Sequence, residues 1–134
     1  MDTKPLPCLA GSEVAAGFPS PADDYLESPL NLHELLVRHP AATFFVRVAG
    51  ESMAGAGILP GDILVVDRSA AARDGCVVVA ALDGEFTVKR LRRRDGRAWL
   101  AAAHPGYPPI ALDPEGEGQI LWGVVTGLVR ERPG

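Results

Sequence analysis

The side chains in this sequence that could carry out nucleophilic chemistry lie in two short segments. The first is the loop Val48-Ala49-Gly50-Glu51-Ser52-Met53-Ala54-Gly55-Ala56-Gly57. Glycines before and after Ser52 let the backbone turn sharply, exposing the hydroxyl together with neighbouring N–H groups. A nucleophilic serine and its oxyanion hole need that arrangement, although a glycine-rich loop holding a serine is more commonly a plain turn. A nucleophilic serine also needs a base. His33 and His39 belong to or flank a short helical segment, and His104 precedes Pro105 in a Pro/Gly loop. None stands at a strand end with an acid to orient it, so all three read as surface residues and a Ser-His-Asp triad is not supported. Lys89 is the better base. It lies in the middle of Phe86-Thr87-Val88-Lys89-Arg90-Leu91, and strand alternation puts it on one face with Thr87 and Leu91. On a partly desolvated face the ammonium is disfavoured and the pKa falls, as a lysine base requires. The competing reading is a lysine that snorkels to water at a sheet edge.

Strands and turns must position these two residues. Thr43–Val48, Ile63–Val66, Cys76–Leu82, Glu85–Leu91, Ala98–Ala103 and Gln119–Val129 read as strands. Cys76–Leu82 is nearly all Val and Ala, which suits burial on both faces. Asp83-Gly84 and Asp95-Gly96 separate strand-like runs and predict tight hairpins. Pro29–His39 reads as the one helix, with Asn31 and Glu34 as a capping box, Leu32, Leu35 and Leu36 on one face, and Pro40 as the stop. The fold class is therefore mostly β: a curled or barrel-like sheet with one short helix. Residues 1–28 hold four prolines, two glycines and no sustained periodicity, and read as a flexible N-terminal arm. Within the arm, Glu13-Val14-Ala15-Ala16-Gly17-Phe18 is a small apolar island.

Composition narrows the function classes. The 134 residues are 47% hydrophobic and 22% charged, the profile of one soluble domain with a real core. The net charge of −4 disfavours a general nucleic-acid binder. One basic run stands out: Lys89, Arg90, Arg92, Arg93, Arg94 and Arg97 against the single acid Asp95. A solvated hairpin tip is favoured there over a nucleic-acid site. Cys8 and Cys76 show no CxxC spacing and no histidine partners, so no metal and no cofactor is expected, and a disulfide between them is not expected either. Cys76 reads as a buried small hydrophobe. No apolar stretch is long enough to cross a membrane and no signal peptide is evident, which points to a cytoplasmic protein.

Taken in order along the chain, Gly50-Glu51-Ser52-Met53, Pro60-Gly61-Asp62 and Phe86-Thr87-Val88-Lys89-Arg90-Leu91 resemble the catalytic core of the LexA/UmuD family of self-cleaving serine peptidases. Order and spacing together are far more specific than either motif alone. The resemblance extends from about Val14 to Val129. It implies Ser52 as nucleophile, Lys89 as base, and the backbone amides of Ser52 and Met53 as oxyanion hole. It gives the arm a purpose as well. Val14-Ala15-Ala16-Gly17 resembles the family's self-cleavage site, with Ala16–Gly17 as the bond cut. By the same resemblance, residues 1–28 are the arm holding that site and residues 29–134 are the peptidase domain.

Only Met1 to Ala16 precede that bond, too few for the DNA-binding domain of the repressor branch. The resemblance therefore implies the polymerase-accessory branch, with no direct sequence-specific DNA binding. Its expected partners are a second copy of itself, a UmuC-like Y-family DNA polymerase active in error-prone translesion synthesis, and the RecA filament that stimulates cleavage in the SOS response. The apolar run Ile120–Val129 is a candidate two-fold interface or simply a core strand. Other readings are a dimeric regulatory peptidase module without a polymerase role, a signal-peptidase-like Ser/Lys enzyme, which needs a membrane anchor, and a plain β-rich binding module.

Overall fold

A computed structural model describes residues 29–113 and 118–132. They form one seven-stranded antiparallel sheet with strands β1 Thr43–Arg47, β2 Ile63–Asp67, β3 Val77–Leu82, β4 Glu85–Arg94, β5 Arg97–Ala101, β6 Ile110–Leu112 and β7 Gln119–Val129. Their spatial order is β1-β2-β7-β3-β4-β5-β6. The sheet does not close: β1 and β6 are its two edges.

Five of the six expected strands match within a few residues, and Gln119–Val129 matches at both ends. β6 is the strand the sequence did not announce. It has three residues, and Pro108 and Pro109 precede it, so alternation has too few positions in which to register.

Both Asp-Gly pairs form two-residue hairpin turns. Asp83 and Gly84 have φ of 51° and 85°, and Asp95 and Gly96 have 52° and 76°. Positive φ at both central residues matches the right-handed twist of the flanking strands. β3 is the centre of the core. Val77 and Val79 enter one buried cluster with Leu64, Val66 and Val125, while Val78 and Ala80 enter a second with Leu91, Leu100 and Val124. Successive side chains of a strand leave opposite faces, so β3 is buried on both sides, as its uniform Val/Ala composition implies. β7 pairs with β2 and with β3. It is thus an interior strand with both backbone edges occupied, and only exposed side chains such as Ile120 are left for an intersubunit contact.

The helix is shorter than expected. α1 spans Leu32–Leu36, and the chain continues through a 3-10 turn at Pro40–Ala42. Asn31 accepts a hydrogen bond from the Glu34 amide at 3.2 Å, which is half of the expected capping box. Leu32 and Leu35 are exposed and only Leu36 is partly buried, near Gly127, so the apolar face that should lengthen the helix by packing is mostly uncovered among the described residues.

Cys76 is buried, as expected, but it is disulfide-bonded, which corrects the expectation of an unpaired thiol. Spacing along a chain carries no information on which sulfurs meet in space. Cys8 lies outside the described residues.

Candidate active site

Ser52 sits in the loop between β1 and β2. Two buried side chains anchor the loop in the core: Met53 and Ile58, 2% and 1% exposed. Two backbone hydrogen bonds pin it to the segment after β5, from the Ala103 amide to the Ser52 carbonyl at 2.7 Å and from the Gly55 amide to the Ala103 carbonyl at 2.8 Å. A Cβ at Gly55 would collide with that Ala103 carbonyl, so glycine is needed there for close approach. The far end of the loop is braced by Asp62, which is almost fully buried. Its carboxylate accepts from the Leu59 amide at 2.8 Å and from Arg130 Nε at 2.6 Å. Arg130 also donates to the Gly57 carbonyl at 2.6 Å. The hydrogen bond from Arg130, above all, holds the Asp62 carboxyl below its ordinary value.

Lys89 reaches the serine from β4. Residues Glu85–Arg90 of β4 pair with β3, but β5 pairs only with Arg90–Arg94. The first half of β4 is therefore a free sheet edge, and the Ser52 loop lies against it. Lys89 Nζ donates to Ser52 Oγ at 2.8 Å and to Thr87 Oγ1 at 2.9 Å. Thr87, two residues away, shares its face as strand alternation requires. Lys89 is only 6% exposed, so it does not snorkel to water. No carboxylate lies within ion-pair distance of it among the described residues. Burial thus acts unopposed and lowers the Lys89 pKa from the ordinary lysine value.

The pair opens onto a cleft of about 330 Å³ whose walls include Val46, Gly50, Met53, Phe86, Val88 and Tyr107. The Tyr107 ring stands 5.5 Å from Lys89 Nζ and is held edge-on by His104. Nothing in the sequence marked Tyr107 or Ala103. Both act from a Pro/Gly-flanked connection whose path is set by tertiary contacts. Thr87 could have been found from its spacing to Lys89. Neither the Ser52 nor the Met53 amide donates a hydrogen bond among the described residues, so both are available to a substrate carbonyl. Ala16 and Gly17 lie outside the described residues.

The histidines do not join this site. His39 does have an acid partner, contrary to expectation: its Nδ1 is 2.7 Å from Asp67 Oδ2. Asp67 also accepts from the Ser69 amide and hydroxyl. Burial pushes the Asp67 carboxyl up, but the Ser69 and His39 hydrogen bonds together outweigh it and leave the pKa lowered. The β1–β2 register places Asp67 opposite Thr43, at the start of β1, whereas the Ser52 loop leaves the other end. No Ser-His-Asp triad can form across that separation.

A serine hydroxyl against a desolvated amine with no carboxylate partner among the described residues is the arrangement a Ser/Lys hydrolase needs. A family model described as Peptidase S24-like matches residues 7–126. Protein MucA of Salmonella typhimurium is 50% identical over 120 residues, covering 90% of this chain and 82% of that protein. Protein ImpA of Shigella flexneri is 45% identical over 126 residues, covering 90% and 81%. LexA repressor 1 of Pseudomonas syringae pv. tomato is 37% identical over 129 residues, covering 96% of this chain and 62% of the repressor. The chain belongs to the Peptidase S24-like family, and it is a serine peptidase of the self-cleaving LexA/UmuD kind. Among the described residues, no helix is long and apolar enough to cross a membrane, and no three potential ligands cluster to hold a metal.

Proposed function

We propose that residues 29–134 act as a Ser/Lys peptidase that cuts its own chain between Ala16 and Gly17, in the arm formed by residues 1–28. The observation that carries this reading is the 2.8 Å contact between Ser52 Oγ and a buried lysine with no acid partner among the described residues. Neutral Lys89 takes the proton from Ser52 Oγ, and the oxygen attacks the Ala16 carbonyl carbon. The Ser52 and Met53 amides hold the resulting oxyanion, a contribution of about 3–4 kcal/mol per donor in a serine protease. The C–N bond then breaks, the Gly17 amine receives the proton from Lys89, and a water activated by the same amine releases Ala16 from the serine ester.

Thr87 directs the amine. Its hydroxyl accepts one N–H of Lys89, and in the neutral amine the lone pair turns toward Ser52 Oγ in place of the N–H that the charged form donates there. The cleft beside Ser52 is walled by Val46, Val48, Met53 and Val88, an apolar lining that suits a small residue such as Ala16 before the cut.

The cellular role follows from similarity to the family. The cleaved chain dimerises in the cytoplasm and serves as accessory subunit to a UmuC-like Y-family polymerase. A RecA filament speeds cleavage by preferentially binding the state with the arm in the cleft. The test is incubation of the purified chain at alkaline pH, followed by mass spectrometry of the products. A new N-terminus at Gly17, absent in Ser52→Ala, is the expected result. Cleavage at another bond rejects Ala16–Gly17, and cleavage that persists in Ser52→Ala rejects the nucleophile.

A further inference from the structure

Arg92, Arg94 and Arg97 meet on one face of the β4–β5 hairpin. The register sets Arg92 opposite Trp99 and Arg94 opposite Arg97. Directly opposed residues of an antiparallel pair, and residues two apart on one strand, share a face. Three guanidinium groups and one indole therefore stand together. The three arginines are exposed and Trp99 is half-buried. None of the three has a carboxylate within ion-pair distance among the described residues. Arg90 continues the row, but its Nη1 is tethered to the Gly75 carbonyl at 2.7 Å. Like charges directly opposite each other destabilise a strand pair, and Arg94 faces Arg97 in that way. A hairpin tip that served only solubility would do better with mixed signs. The concentrated positive charge is a cost to the free subunit that an anionic occupant would remove.

The acidity of the whole chain does not weigh against such an occupant. Of its 17 acids and 13 bases, residues 1–28 hold five acids and one lysine, which accounts for the entire net charge of −4. Residues 29–134 carry twelve of each and are neutral, so the arginine face is a local excess on a balanced body.

We propose that this face docks the backbone of a single-stranded nucleic acid without sequence preference. Arg92 and Arg94 are two residues apart, about 6.7 Å along the strand, a separation commensurate with successive phosphates of an extended single strand. Guanidinium forks bind phosphate oxygens in bidentate fashion. Trp99, beside Arg92 on the neighbouring strand, offers a plane on which an unstacked base can lie. A duplex offers no such base, and an acidic polypeptide has neither phosphates nor bases. Strand alternation turns Arg92 and Arg94 to the face of β4 opposite Lys89, so occupancy leaves the Ser52 cleft open.

The experiment is fluorescence anisotropy of a labelled oligo-dT titrated with the full-length chain carrying Ser52→Ala, so that it stays uncut. Binding is expected to fall steeply with salt. In the triple variant Arg92→Glu, Arg94→Glu, Arg97→Glu the affinity should drop about tenfold or more, and the log–log salt slope should shrink by about two, roughly 0.7 for each single-strand phosphate no longer neutralised. Trp99→Leu should weaken oligo-dT several-fold while leaving heparin binding unchanged. Thermal unfolding checks that each variant is folded. If the triple variant does not fold, Arg94→Gln alone should reduce the slope by about 0.7. Unchanged oligo-dT affinity in the arginine variants overturns the proposal. So does equal competition by duplex DNA, or by polyglutamate, which would make the partner an acidic protein.

Discussion

Gly55→Ala tests how the serine is held. The added methyl meets the Ala103 carbonyl at a separation no real Cβ adopts, while the Ala103 Cβ itself is 3.5 Å away, an ordinary contact. The obstacle is therefore backbone, and it can be relieved only by parting the Ser52 loop from the segment after β5. That movement weakens the hydrogen bond from the Gly55 amide to the Ala103 carbonyl and the one from the Ala103 amide to the Ser52 carbonyl. Overpacking of this kind costs about 1–3 kcal/mol. At roughly 4 °C per kcal/mol for a domain near this size, Tm should fall by about 4–12 °C. The effect on cleavage should be larger than the loss of stability implies. Ser52 moves with its loop while Lys89 stays on β4, and a misplacement of about 1 Å can cost roughly a hundredfold in rate. The assay pairs urea or thermal unfolding with self-cleavage rates at a temperature where both proteins are fully folded. Ala103→Gly should fail to rescue the variant, because it removes the methyl and leaves the carbonyl. A Gly55→Ala chain with unchanged Tm and rate would refute the reasoning, and rescue by Ala103→Gly would show that the side chain, not the backbone, sets the approach.

Further outcomes follow from the same geometry. The Lys89 amine is held below the ordinary lysine value of 10.5 by burial, so the unfolded chain binds that proton more tightly than the folded one. Its contribution to stability is full above 10.5 and is lost as pH falls through the folded pKa, leaving a penalty at neutral pH. Lys89→Met should abolish cleavage yet unfold at higher urea than the parent at pH 7, with the gap narrowing toward pH 10.5. A gap that widens with pH contradicts a desolvated lysine. The cleavage rate itself should climb about tenfold per pH unit on the acid side and level off below pH 10.5; a flat profile rules out a lysine base. Thr87→Val removes a hydrogen-bond acceptor that favours the charged amine more than the neutral one, so the acid limb of that profile should move to lower pH while the plateau rate drops. Asp62 acts with the opposite pH dependence at the other end of the scale. Its carboxyl lies below 3.8 chiefly through the Arg130 hydrogen bond, so its stabilisation is full above 3.8 and is lost as pH falls through the folded value. Urea midpoints taken between pH 5 and pH 2 should fall more steeply for the parent than for Asp62→Asn.

Much of this molecule is legible without coordinates because the information is local. The Asp-Gly turns need only two adjacent residues that accept positive φ, and β3 announces burial on both faces by an unbroken Val/Ala run. Ser52 is marked by the glycines around it, and Lys89 by its place in a strand of alternating side chains. Even the partnership of Lys89 with Thr87 is implicit in a spacing of two. Other features depend on contacts between segments distant along the chain. α1 stops at Leu36 because only Leu36 packs on the sheet, beside Gly127, while Leu32 and Leu35 stay exposed. β6 exists because β5 offers it an edge. Ala103 and Tyr107 belong to the site because their connection crosses the free edge of β4. The acid partner of His39 was hidden for the same reason, since 28 residues separate it from Asp67. The sequence by itself determined which serine and which lysine could react. That they meet at 2.8 Å, out of water and away from any described carboxylate, came only from the folded chain, because desolvation and approach depend on what packs around a side chain.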